Sequence, residues 1–305
     1  MLDIKFIKEN PDLIKEAVRK KHLSFNVDDL LALEEKRATA QKTFEMLRTE
    51  QNTLSDEIPK ATDQAVRAKL IEDLKPLKEK VQAAEEEAKT VMKEWQLLML
   101  QVPNVPDMSV PEGVSDEENL EHRVWGEKPV FDFDVKDHVA LMEARDMVDF
   151  DRGTKVAGFR GYFLKGDAVL LQFALWQYFM QAITAKGFAP IVVPSLVNKQ
   201  TLYGTGYLPQ GEEDLYKTQD DDYLAGTAEV ATMSYHSDEV LALSDLPKKY
   251  VAFSPCFRRE AGSHGKDVKG LIRVHEFYKL EQVVLCEANH ETSVALHEEI
   301  TNNVE

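Results

Sequence analysis

Between residues 28 and 100 the apolar positions recur alternately every three and every four residues, in two successive runs. The first is Leu30, Leu33, Arg37, Ala40, Phe44, Leu47, Gln51, Leu54 and Ile58; the second is Leu70, Leu74, Leu77, Val81, Ala84, Ala88, Val91, Trp95 and Leu98. A spacing of about 3.5 held over about four heptads is a coiled-coil seam, narrower than the stripe of a globular helix. Pro59 to Asp63 separates the runs and reads as a reversal, so the helices are predicted to fold back as an antiparallel hairpin. Helices of about thirty residues at about 1.5 Å each give an arm about 45 Å long. Pro76 falls inside the second run and is expected to bend it or delay its regular start. A small amphipathic helix is predicted ahead of the arm, from about Asp12 to Lys21, after the start signal Asn10-Pro11.

Past the arm, Pro103, Pro106 and Pro111 mark a linker. Residues 113–135 read as irregular or short-strand structure in which Trp125, Phe131 and Phe133 are expected to pack. From about His138 onward helix and strand patterns alternate. Residues 166–187 form an amphipathic helical pattern rich in Leu, Phe and Trp, most of it read as core. Pro190 to Pro194 reads as a strand bounded by prolines. Two further strands are predicted at Tyr250–Glu260 and Leu271–Glu287, antiparallel neighbours joined by the Gly-rich polar segment Ala261 to Asp267. The pattern is an α+β protein with two domains, 1–108 and 109–305.

Composition narrows the class. The hydrophobic and charged fractions, 43% and 30%, are those of a globular chain. No apolar run is long enough for a membrane span, and the start lacks a signal-peptide core. Cys256 and Cys286 lie too far apart to suggest a disulfide framework or a zinc knuckle, so both are read as reduced thiols and the chain as cytoplasmic. The net charge of −17 argues against loose polyanion binding. That charge is uneven: residues 1–100 hold 18 Lys and Arg against 20 Asp and Glu, and the rest 19 against 34. The arm is therefore free to approach RNA where the body would repel it. Periodicity alone leaves a dimerisation or spacer role for the hairpin equally open.

Chemistry concentrates on the last two strands. Side chains alternate along a strand, which puts Arg258 and Glu260 on one face of the first strand. Arg273, Phe277 and Glu281 share one face of the second, while Ile272, Val274, Tyr278 and Leu280 fall on its other, apolar face. Charges on a strand face are commonly just solvated cross-strand pairs. Here an aromatic ring sits among them and two guanidinium groups converge with two carboxylates. Guanidinium suits phosphate and carboxylate, and an aromatic face suits a purine, so this face looks built for a nucleotide.

The segment CFRREAGSHGKDVKGLIRVHEFYKLEQ at 256–282 resembles motif 2 of class II aminoacyl-tRNA synthetases in its seryl form. GFAPIVVPSLVN at 187–198 resembles motif 1, and AGTAEVA at 225–231 the loop with which bacterial-type seryl-tRNA synthetases hold their amino acid. The hairpin resembles the tRNA-binding arm of that family, so the resemblance runs along the whole chain. It implies an antiparallel-sheet catalytic core behind a tRNA-binding arm, and an enzyme that forms seryl-adenylate from L-serine and ATP, then seryl-tRNA(Ser). It implies a homodimer through the motif 1 region around Pro194, and Mg²⁺ as the companion of ATP, without a metal ligand in this chain. Arg258 and Arg273 match the catalytic arginines: the first contacts the α-phosphate and the serine carboxylate, the second the γ-phosphate. Phe277 matches the platform under adenine, and Glu260, Arg259 and Val274 match other ATP-binding positions. Thr227, Ala228 and Glu229 match the serine loop, with Glu229 on the substrate ammonium and Glu281 on its hydroxyl. A buried carboxylate left unpaired by alanine would discriminate by up to ~10⁴–10⁵. His264, His275 and Ser263 are near the site but carry no readable catalytic partner, and Gly262 and Gly265 read as loop flexibility.

Two other readings fit part of the pattern: a tRNA-binding or regulatory fragment without catalysis, and a synthetase-like ligase that loads a carrier protein. The intact nucleotide-facing set argues against the first, and the full-length arm against the second. The third motif of class II enzymes, with its ATP-clamping arginine, has no counterpart before Glu305, and Val304-Glu305 reads as mid-helix. The chain as it stands is therefore expected to show little or no serine-dependent ATP–pyrophosphate exchange; robust exchange by these 305 residues alone would overturn that expectation.

Overall fold

The computed structural model of the chain describes residues 2–261 and 269–305. It has two compact units, Met1–Arg123 and Val124–Glu305. In the first, α1 (Ile4–Glu9) and α2 (Pro11–Lys20) precede two long helices, α3 (Val27–Glu57) and α4 (Gln64–Met99). The Asn26 side chain accepts from the Asp28 N–H at the start of α3, and Asp63 does the same for Ala65 in α4. Each cap satisfies a donor that the first turn leaves open. Every seam position of the two predicted runs is buried or half-buried. At 31 residues α3 is about 46 Å long. Ile7, Ile14, Val27, Leu30 and Met99 close the base of the hairpin. Helix α1, with Ile7 its one buried residue, is too short to announce itself by periodicity.

Pro76 does not delay α4, which starts at Gln64 and runs through it. Pro76 lies on the exposed side, and buried Leu74 and Leu77 hold the helix to its partner on either side of the lost N–H. One layer of the seam is polar. Glu34, only 5% exposed, accepts from Arg37 Nε at 2.7 Å and Nη2 at 2.9 Å. The Arg37 guanidinium lies 5.1 Å from the centre of the Trp95 ring across the seam. A polar layer of this kind fixes the register in which two helices pair.

The stretch 113–135 is irregular apart from a 3₁₀ turn at Asp116–Glu118. Trp125 is 84% exposed, and Phe131 and Phe133 are exposed while touching each other at 5.1 Å. Of the aromatics expected to pack, Phe131 and Phe133 meet each other while Trp125 stands exposed, since the stretch forms no helix or strand to present them to a layer.

The second unit then proceeds through α5 (His138–Ala144), β1 (Val148–Asp149), α6 (Phe150–Ala157), β2 (Phe163–Leu164) and α7 (Asp167–Thr184). It continues with β3 (Ala189–Val192), β4 (Leu196–Val197), α8 (Lys199–Gly204), β5 (Tyr216–Lys217), β6 (Tyr223–Leu224) and α9 (Glu229–Met233). The last elements are β7 (Lys248–Phe257), β8 (Glu276–Leu285) and α10 (His290–Val304). The main sheet has the order β3-β7-β8. β3 runs parallel to β7 on one edge, where Pro190 is tolerated. β7 and β8 pair antiparallel from Lys248↔Leu285 to Phe257↔Glu276. A smaller antiparallel sheet, β4-β6-β5, packs over Leu202, Leu208, Tyr223 and Val230.

The β7–β8 pair has two unlike faces. Trp176 of α7 packs edge-on against Phe253 and Tyr278, each at 5.1 Å. Ile183, Val251 and Leu280 extend that contact, joined by Ile300 of α10. On the other face Ala252, Ser254 and Cys256 stand opposite Glu281, Lys279 and Phe277.

Both predicted strands are too long. β7 stops at Phe257 because Glu260 adopts a positive φ of 54°, and β8 starts at Glu276 because residues 269–273 bend around Gly270. Arg258, Glu260 and Arg273 therefore stand in the connections, and Ile272 is 70% exposed rather than on an apolar strand face. Helix α7 is a second correction. Only Ala168 and Ile183 are buried in it, while Leu170, Leu171, Phe173, Leu175, Tyr178 and Phe179 are exposed.

Glu34→Ala should lower the unfolding free energy of the helical unit by about 1–3 kcal/mol, since it leaves Arg37 half-buried without its carboxylate. Glu34→Leu combined with Arg37→Leu should recover most of that loss. Urea titration monitored by helical ellipticity checks both; a neutral Glu34→Ala would mean the pair has no role in the seam.

Candidate active site

The end of β7 is built by its neighbours. Arg258 donates its N–H to the His275 carbonyl at 3.0 Å, and His275 Nδ1 lies 2.9 Å from the Arg258 carbonyl. This adds one rung beyond the strands and gives His275 a hydrogen-bonded, positional place. Phe257 N–H donates to the Ala225 carbonyl at 3.0 Å, docking the 225–228 loop on the strand end. Arg258 Nε then reaches the Gly226 carbonyl at 3.2 Å. A Cβ on Gly226 would sit 3.2 Å from Arg258 Cγ, so a glycine keeps that approach open. The guanidinium carbon of Arg258 lies 5.3 Å from the centre of the half-buried Phe277 ring, within cation–π range.

Arg259 is anchored away from the strands. Its N–H donates to the Asp214 carbonyl at 2.9 Å and its Nη1 to the Glu213 carbonyl at 3.1 Å. Glu260 receives Arg273 Nε at 2.8 Å, so the two predicted ATP-side charges are brought together across the connection. The bend that carries Arg273 is held by Leu271 N–H donating to His138 Nε2 at 3.1 Å. Only glycine fits at 270, where a Cβ would lie 2.2 Å from that nitrogen. The Val274 side chain is buried.

The amino-acid side of the site is a tight cluster. The Thr227 hydroxyl donates to Glu281 Oε2 at 2.5 Å, and Glu229 N–H donates to the same oxygen at 3.1 Å. Lys279 Nζ lies 2.7 Å from Thr227 Oγ1 and 3.1 Å from Glu281 Oε2. Ala228 is buried with Val193 and Ala252, so its side chain is part of the apolar floor. Burial, reinforced by the nearby Glu281 charge, raises the Glu229 carboxyl above its ordinary range, and Lys279 pulls it back. Burial also raises the Cys256 thiol beneath the cluster, so it is a packed neutral group.

All the predicted site residues fall within this region of the second unit. His264, Ser263, Gly262 and Gly265 lie outside the described residues. Sequence reasoning missed Lys279, although the parity that selects Phe277 and Glu281 selects it too. It also missed Glu213 and Asp214, for which no local signal exists. A separate concavity of about 460 Å³ lies on the opposite side of β8, lined by Phe159, Tyr162, Tyr216, Glu276 and Tyr278. It contains none of the cluster's carboxylates.

Comparison with known proteins matches residues 1–106 to the seryl-tRNA synthetase N-terminal domain. Residues 215–305 match the tRNA synthetase class II core domain (G, H, P, S and T). The serine–tRNA ligase of Deinococcus radiodurans is 41% identical over all of this chain and 72% of its own length. That of Dictyoglomus turgidum is 39% identical over all of this chain and 74% of its own. Among solved structures, seryl-tRNA synthetase from Pyrococcus horikoshii complexed with ATP superposes with a TM-score of 0.86 at 33% identity. The match covers 99% of this chain and 73% of that one. The cytoplasmic serine–tRNA ligase of Naegleria fowleri, in complex with AMP, gives 0.83 at 29% identity over 99% and 71%. With both domain families matched in order and the identity sustained from end to end, the chain belongs to the seryl-tRNA synthetase family.

Proposed function

We propose that the chain carries the ATP- and serine-binding wall of a serine–tRNA ligase, which forms seryl-adenylate and passes the seryl group to tRNA(Ser). The observation that carries this reading is the cluster of Thr227, Glu229 and Glu281 beside Arg258 and the Glu260–Arg273 pair. Glu229 pairs with the substrate ammonium, while Glu281 accepts from its hydroxyl. Thr227 orients Glu281, and Ala228 contributes through its main chain. Arg258 spans the serine carboxylate and the α-phosphate, placing nucleophile and electrophile together. Arg273, aligned by Glu260, meets the γ-phosphate; Arg259 and Val274 shape the nucleotide edge, and Phe277 supports adenine.

The serine carboxylate is already ionised near neutral pH, so attack on the α-phosphorus needs no general base. Rate then comes from positioning and from guanidinium charge aimed at the phosphates. Mg²⁺ would accompany the ATP phosphates and offset their charge.

The helical unit is the tRNA-binding arm, a reading supported by its nearly balanced charge beside an acidic remainder. A homodimer through the motif 1 region is supported by the exposed apolar side chains of α7 and by Val192 and Leu196. Sedimentation velocity reads that state directly, and a monomer at micromolar concentration would count against it. Among the described residues no helix is long and apolar enough to cross a membrane, and the two cysteines are free. The free cysteines support a cytoplasmic setting.

Seryl-sulfamoyladenosine, a non-reacting mimic of the adenylate, should bind the chain at least about tenfold more tightly than the alanyl analogue. Glu281→Ala should erase that difference while leaving ATP affinity within about twofold. Calorimetry decides: equal losses for both ligands would remove Glu281 from hydroxyl recognition. Glu229 must be ionised to hold the ammonium, and its pKa is raised. Seryl-analogue affinity should therefore be full near neutral pH, where the ligand amine is still an ammonium, and fall as pH drops through a midpoint above the ordinary glutamate range. Glu229→Gln should flatten that profile, and an unchanged profile would argue that another group holds the ammonium.

A further inference from the structure

Lys279 has no part in the reading above, yet it stands at the centre of the serine cluster. It lies on the site face of β8 between Phe277 and Glu281, opposite the small Ser254 of β7. Its ammonium contacts Thr227 Oγ1 at 2.7 Å and Glu281 Oε2 at 3.1 Å. Thr227 and the Glu229 N–H converge on the same carboxylate oxygen. Among the described residues all three donors thus reach Oε2, and Oε1 receives none of them. One oxygen of Glu281 is committed to the protein.

Charge makes this commitment matter. The pocket brings two carboxylates, Glu229 and Glu281, toward a substrate that carries one ammonium and one neutral hydroxyl. Without a compensating cation, either carboxylate would attract an ammonium. The substrate amine could then occupy the wrong end, and an amino acid with a second amine in place of the hydroxyl would be favoured over serine. A lysine bonded to one carboxylate removes that symmetry: it leaves Glu229 as the ammonium site and Glu281 as an acceptor for a neutral donor. The hydrogen bonds also hold the Glu281 side chain in one rotamer, which an acceptor for a small hydroxyl requires.

We propose that Lys279 is a specificity-determining positioning residue: it neutralises Glu281 so that this carboxylate admits the hydroxyl of serine and rejects a second ammonium. The proposal rests on the serine reading of the same pocket. Repulsion of the wrong ligand by a fixed charge is a common source of discrimination when attraction to the right one is modest. The effect of Lys279 on Glu229 fits this division, since burial and Glu281 push that carboxyl up while the lysine opposes them.

The test compares three non-reacting adenylate mimics on the whole chain: the seryl, alanyl and 2,3-diaminopropionyl sulfamoyladenosines. The last carries an ammonium where serine has its hydroxyl. Wild type should prefer the seryl over the diaminopropionyl probe, and Lys279→Met should shift that ratio at least about tenfold toward the diamine. Lys279→Gln, which keeps a hydrogen-bond donor without charge, should behave like Lys279→Met, whereas Lys279→Arg should keep the wild-type order. Circular dichroism establishes folding, and Lys279→Gln carries the comparison should the methionine variant not fold. Equal losses for the seryl and diaminopropionyl probes, or a wild-type ratio in Lys279→Gln, would overturn the proposal. Wild type binding seryl and alanyl probes alike would instead sink the serine reading, and the role of Lys279 with it.

Discussion

The antiparallel register of β7 and β8 is the constraint on which the rest of the second unit depends. A slip of one residue would exchange the two faces of the pair. Phe277, Lys279 and Glu281 would then turn toward α7, and Tyr278 and Leu280 toward the site. The apolar side makes such a slip costly, because Trp176 packs against both Phe253 and Tyr278, and Val251 and Leu280 share a core with Ile183. Packing on one face thereby sets the chemistry of the other. The small residues Ala252, Ser254 and Cys256 complete the arrangement, since larger side chains opposite Glu281, Lys279 and Phe277 would fill the room they leave.

The site is organised by pairing more than by titration. Most candidate charges have a protein partner: Arg273 has Glu260, Glu281 has Lys279 and Thr227, and Arg258 has the Gly226 carbonyl and the Phe277 ring. Such contacts fix rotamers in advance, so less ordering remains to be done when ligands arrive. Glu229 stands apart, with a carboxyl raised by burial and a neighbouring charge. In the proposed reading, an incoming ammonium would offset that cost.

The sequence was most legible where a period persisted. The seam of the arm could be read position by position because two long runs keep the same spacing, and the strand faces could be read from alternation. Strand ends could not. The positive φ of Glu260 and the clasp of His138 on the 270–271 bend are made by tertiary contacts that no local pattern encodes. Helix α7 shows a different limit: periodicity marks an apolar surface without saying what covers it, so Leu170 and Phe173 read as core and stand exposed. Lys279 was hidden for the opposite reason. Its parity was plain, but a lysine on a half-exposed strand looks ordinary until its two partners are located in space.

The arm and the sheet also differ in how far apart along the chain their contacts lie. The helices of the arm meet first at the Pro59–Asp63 turn, and every later layer closes a loop only slightly longer than the last. The hairpin can therefore zip from its tip soon after α4 leaves the ribosome. Strand β3 must wait for β7, since Ala189 pairs with Tyr250, and α7 waits with it for Phe253 and Tyr278. During that interval an apolar helix and an open strand edge are both available to other chains. The vulnerable moment in the biosynthesis of this protein thus falls between the emergence of α7 and the completion of β8.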